Sequence, residues 1–148
     1  MDVSKILYPL IIAAVLGLGW LLTSGGVNYQ FKKYSEPSTG DVEADSVKEA
    51  GLTKLGGFLM FTFRYEKAGQ CFDTALTNYP DGKNYWYNYY RLAKCKEKAE
   101  KWGEAVSILI RLRDENAIEM DDRVPDQATL DGRIQKLIEV HELPIKAN

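Results

Sequence analysis

The chain has 148 residues, with 19 Lys plus Arg against 21 Asp plus Glu and a formal net charge of −2. That length holds one small domain plus an attachment. The near balance of charge excludes global electrostatic capture of nucleic acid or of an anionic membrane. Its two cysteines, Cys71 and Cys95, are too few for a disulfide framework and too far apart for C-x-x-C. They read as two half-buried free thiols or as one bridge between neighbouring helices.

Residues 1–5 form a short polar lead. Ile6 to Leu22 follows as seventeen residues without a charge, and the run extends through Thr23–Val27. At 1.5 Å per residue such a helix spans a hydrocarbon core of about 30 Å. Residues 6–27 are therefore expected to be a transmembrane anchor in contact with lipid. Tyr8 and Trp20 sit where interfacial aromatics belong. The competing reading is a cleaved signal peptide, with Lys5 as its basic region and Thr23-x-Gly25 as a weak processing site. The run is long for that role. Lys5 precedes the span and Lys32 and Lys33 follow it, so the charge rule for orientation is nearly tied. A five-residue lead is expected to stay in the cytoplasm. That places the rest on the periplasmic side of a bacterial inner membrane.

Residues 28–46 are expected to be a linker. Ser35, Pro37, Ser38, Thr39 and Gly40 disfavour regular structure, and Glu36, Asp41, Glu43 and Asp45 read as solvated spacer. Asp45 or Ser46 is a candidate cap for the next helix. A helical domain over 47–148 follows.

Its best-formed part is Leu52–Pro80. Leu52, Leu55, Gly56 and Leu59 share one face of a first helix, and Ala68, Phe72 and Ala75 one face of a second. A turn is expected near Phe63–Tyr65, and Pro80 stops the second helix. Next comes Asn84–Tyr90, which as a helix carries aromatics on every side, so no single buried face hides them all. Tyr89, Leu92 and Ala93, then Trp102 to Ala105, Leu109 and Leu112, repeat the two-helix plan more loosely. Ala68 to Ala105 is 37 residues. Residues 114–126 form an acidic loop without the order of a calcium site. Residues 125–143 form a last helix with Leu130, Ile134, Leu137, Ile138 and Val140 as its apolar residues.

The spacing Leu52-x2-Leu55-Gly56-x2-Leu59, then Ala68-x3-Phe72, then Pro80 resembles the tetratricopeptide repeat. Both aromatic positions of that family's first helix are Leu here. The resemblance implies an all-α fold: the N-terminal transmembrane helix, a small α-solenoid of about two helical hairpins, and a C-terminal capping helix. It names Leu55, Gly56, Ala68, Phe72, Ala75, Pro80, Leu92 and Ala105 as packing positions. The 37-residue period exceeds the family's usual 34, so a lengthened helix or turn is expected around Tyr85–Asn88.

The resemblance also implies a concave groove lined by the first helix of each repeat. Ala50, Thr53, Gly57, Met60 and Phe61 would face it from the first repeat, and Tyr87, Tyr90, Lys94, Glu97 and Lys98 from the second. Some relatives clamp an acidic chaperone tail there. Apolar residues in the first repeat exclude that clamp here. Met60, Phe61, Tyr85, Trp86, Tyr87, Tyr90 and Lys94 are the expected partner-binding residues. The alternative is that the chain covers them itself.

No nucleophile elbow, phosphate loop or haem-attachment motif occurs, and the single histidine, His141, cannot build a triad or a multi-histidine metal site. No catalytic residues, cofactor or nucleic-acid partner are expected. The chain reads as a non-catalytic, membrane-anchored scaffold or accessory subunit that binds other protein subunits of a membrane complex. A membrane-anchored chaperone or import receptor that binds client segments transiently is the alternative.

Overall fold

The computed structural model describes residues 3–144, and at positions 3–6, 18, 21 and 22 it describes the helical backbone alone. The start of the polar lead and the tail after Pro144 lie outside the described residues. Among those described there are seven α-helices, one short 3-10 turn and no strand: α1 (Val3–Leu22), α2 (Ser24–Tyr34), α3 (Val42–Phe61), α4 (Tyr65–Asn78), α5 (Tyr85–Lys98), α6 (Trp102–Asp114) and α7 (Gln127–Val140). The protein is all-α.

From α2 onward each helix packs against the next in sequence. Connections of three residues, 62–64 and 99–101, fold α4 back on α3 and α6 back on α5. Both short turns therefore lie at one end of the stack. The longer connections, 79–84 and 115–126, lie at the other. The stretch Tyr85–Asn88, expected to hold a lengthened helix or turn, opens α5 directly after the six-residue connection 79–84.

The core follows the helical spacing. Leu52, Leu55 and Leu59 of α3, Ala68, Phe72 and Ala75 of α4, Leu92 and Ala93 of α5, and Ala105, Leu109 and Leu112 of α6 are all buried. Leu130, Ile134 and Leu137 of α7 close the last face, while Val140 is exposed. Gly56 is needed for the closest approach: a Cβ there would sit 2.6 Å from the Phe72 ring. Pro80 is exposed, one residue past the helix cap at Tyr79.

Two boundaries differ from the sequence reading. The apolar helix stops at Leu22, because Thr23 caps a new helix: its hydroxyl donates to the Trp20 carbonyl at 2.6 Å and accepts from the Gly26 amide at 3.3 Å. Residues 24–34 then form α2, which takes up residues 28–34 of the expected linker, and α3 takes up 42–46. α2 buries Val27 and rests the Tyr34 ring on Gly51 of α3. The hydroxyl of Tyr79 donates to the carbonyls of Tyr34 and Glu36, and Asn78 donates to that of Ser35 at 2.9 Å. Only 35–41 remains irregular, and Asp41, not Asp45 or Ser46, caps α3 through the amides of Glu43 and Ala44. Asp45 instead accepts from Ser38 and Thr39, which fold the linker onto α3.

Four α-helices end on a non-glycine residue in the left-handed region: Phe63, Glu100, Asn116 and Glu142, with φ of 49 to 60°. After α3, the Arg64 amide donates to the Leu59 carbonyl and the Phe63 amide to that of Met60. The same pair closes α5, from Lys101 to Lys96 and from Glu100 to Glu97. These are the two bonds of a Schellman cap, whose left-handed position usually holds glycine.

Candidate functional site

The aromatic stretch that opens α5 is positioned by a polar clamp from α3. Asn84, at the head of α5, makes no cap with its own side chain. Glu49 supplies one from across the helix pair. Its carboxylate accepts from the Asn84 main-chain amide at 2.8 Å and from the Asn84 side chain at 2.9 Å. One turn on, the Asn88 amide donates to the Thr53 hydroxyl at 2.9 Å, and that hydroxyl donates to the Glu49 carbonyl. Glu49 is 2% exposed. Only glycine suits position 82, where a Cβ would meet the Glu49 carboxyl at 2.8 Å. A carboxylate at a helix N-terminus satisfies free amides and sits at the positive end of the helix dipole. The clamp sets the register of α5 on α3.

The aromatics of α5 are distributed around the helix, and the chain's own cations lie over three of them, Tyr87, Tyr89 and Tyr90. Tyr85 lies parallel to Tyr89, with centroids 6.2 Å apart, and edge-on to Trp86 at 5.2 Å. Tyr87 is held between two guanidiniums, Arg91 at 5.1 Å and Arg123 at 4.4 Å. Tyr89 carries Arg111 at 5.1 Å, and Tyr90 carries Lys94 at 4.8 Å. Cation–π stacking of this kind lets an aromatic ring stay out of an apolar core without facing water.

The guanidiniums are themselves fixed. Arg123 makes a two-pronged ion pair with Asp121 and donates to the Asn84 side-chain oxygen at 3.0 Å. The Arg123 bond holds the Asp121 carboxyl below the usual aspartate range. Arg133 of α7 bonds Glu97 at 2.6 Å and the Tyr90 hydroxyl at 3.3 Å. Arg91 also lies over the Phe72 ring at 4.8 Å, against Gly57, and donates to the Thr53 carbonyl at 3.3 Å. Burial pulls its guanidinium below its usual pKa.

The seven residues expected to bind partners thus have different settings. Tyr90 is 8% exposed, and Met60, Tyr85, Trp86, Tyr87 and Lys94 are half-buried. Phe61 stands apart, 81% exposed at the end of α3. The clamp of Glu49 and the stacked arginines were not foreseen, because nothing in their local spacing separates them from surface charges. Cys71 and Cys95 are buried and free. Burial pushes their thiols up to about 12 and about 11. Among the described residues no cluster of His, Cys, Asp and Glu could hold a metal ion.

At the other end of the chain, every described side chain of α1 is exposed, Tyr8 and Trp20 among them. Trp20 lies tilted against Tyr29 of α2, with ring centroids 6.1 Å apart and planes at 50°. Among the described residues no helix is long and apolar enough to cross a membrane. The run Ile6–Leu22 includes four positions whose side chains are not described. Comparison with protein-family models, with curated proteins and with solved structures finds no match.

Proposed function

We propose that the protein is a non-catalytic scaffold of the tetratricopeptide type, held to a membrane by α1 and acting as an accessory subunit of a larger membrane complex. One observation carries the membrane part. The described apolar side chains of α1, including Leu7, Leu10, Ile11, Val15 and Leu16, are exposed on all sides, and α2 is its main neighbour. A helix that is apolar all round needs an apolar surrounding. Its charge-free run, the seventeen residues Ile6–Leu22, spans about 26 Å as a helix, at the short end of what a hydrocarbon core takes.

The scaffold part rests on the sequential stack α3 to α7 and on the packing of Gly56 against Phe72. Anchoring such a stack raises its effective concentration for neighbours in the same membrane. The docking face assigned to it is the α5 surface with Tyr85, Trp86 and Tyr87. The periplasmic placement of the domain is part of the same proposal.

Alkaline carbonate extraction of membranes carrying the full chain tests the anchor, and retention in the pellet is the expected result. Crosslinking in native membranes followed by mass spectrometry tests the subunit role. A small stoichiometric partner set is expected. Many substoichiometric clients would favour the transient chaperone or receptor instead. Trp86→Ala with Tyr87→Ala is expected to lose the partners while the chain stays in the membrane.

A further inference from the structure

The turn between α3 and α4 carries two exposed phenylalanines. Phe61 is 81% and Phe63 78% exposed. Folding does not account for Phe63. It occupies a left-handed position, φ 60°, where glycine is the low-energy residue and a side chain adds strain. Its one aromatic neighbour is Tyr65, edge-on at 6.2 Å. An exposed ring kept where the backbone would favour glycine points to work outside the fold.

The position of the turn says what that work is. Ser24, the first residue of α2, lines one cleft with Phe63, Arg64, Tyr65 and Lys67. Lys67 donates to Asn28 of α2 at 3.2 Å. The start of α2, two residues past the end of α1, therefore borders the α3–α4 turn.

We propose that the α3–α4 turn is a second membrane contact, with Phe61 and Phe63 seated in the lipid interface beside the exit of α1. This rests on α1 being the anchor. Aromatic rings favour the level between headgroup and acyl chain, and Arg64 and Lys67 supply cations at the height of the lipid phosphates. Two contacts, one covalently continuous with the domain and one at its turn end, fix the orientation of the stack. The long connections 79–84 and 115–126 then face away from the bilayer.

The test uses the full chain in vesicles of phosphatidylcholine and phosphatidylglycerol. An environment-sensitive fluorophore is attached at Glu66→Cys, or at Asp81→Cys in the distant connection, the native thiols being buried. Quenching by lipids spin-labelled near the headgroup reads the distance to the bilayer. The Glu66 label is expected to be quenched about twofold or more relative to the Asp81 label, and Phe61→Ser with Phe63→Ser to abolish the difference. Equal quenching at both sites, in vesicles that keep the chain through carbonate extraction, overturns the turn contact and leaves the anchor standing. In that case the phenylalanines face a protein partner or water. Loss of the chain on carbonate extraction overturns the anchor and this inference with it.

Discussion

Glu49 of α3 accepts hydrogen bonds from both amides of Asn84, the residue that heads α5, at 2.8 and 2.9 Å. A buried acidic side chain is thereby used to cap a helix from the neighbouring hairpin. The bond fixes where α5 begins, and so which aromatics meet which arginines.

Removing this acceptor leaves the amides of Asn84 and Asn88 without it in a buried setting. Glu49→Ala is expected to cost about 2 to 4 kcal/mol, read from urea unfolding. Glu49→Gln keeps one acceptor for the Asn84 main chain and loses less. A change below about 0.5 kcal/mol for the alanine variant would show that the clamp does not hold the hairpins.

Gly56 of α3 lies against the Phe72 ring of α4, with no room for a Cβ. Alanine at 56 gains about 1 kcal/mol in helix propensity but intrudes on the ring. Overpacking costs about 1 to 3 kcal/mol, so Gly56→Ala is expected to be net destabilising. Adding Phe72→Leu should recover part of that loss in a double-mutant cycle. Strict additivity of the two changes would show that the sites do not touch.

The helix ends at Phe63 and Glu100 share one cap geometry with positive φ. Relief of left-handed strain is worth about 1 kcal/mol, so Phe63→Gly and Glu100→Gly should each raise stability by roughly that amount. Thermal melts of the single variants check it. Phe63→Gly is expected to gain stability while losing the lipid contact. The Glu100 variant should change stability alone.

The thiols carry a pH dependence with a definite sign. Their folded pKa values, about 12 for Cys71 and about 11 for Cys95, lie above the ordinary 9.0 because burial disfavours the thiolate. The neutral thiol suits the fold, so the contribution is complete below pH 9 and is lost as pH rises toward 11 and 12. Stability of the native chain is expected to fall across that window. Cys71→Ala with Cys95→Ala should flatten the fall while lowering stability at neutral pH through lost packing. Native protein should react with a thiol reagent only when unfolded.

Much of the fold was legible in the residues because it depends on local period. Leu52, Leu55 and Leu59, or Ala68, Phe72 and Ala75, fall on one face of a helix whatever lies opposite. That they are all buried follows from spacing alone. So does the cover by α7, through Leu130, Ile134 and Leu137. The candidate site was legible only in part. Tyr85–Tyr90 stood out as aromatics that no single face could bury.

What the sequence determined by itself is the set of helices α3 to α7, the small residues that let them approach, and the apolar run at Ile6–Leu22. Those depend on contacts three or four residues apart. Tertiary structure alone decided the rest. Glu49 and Asn84 are 35 residues apart, Tyr87 and Arg123 are 36, and Tyr79 reaches across 45 to Tyr34. A charged or polar side chain carries no local mark of being buried, because its burial is settled by the partner that the folded chain brings to it.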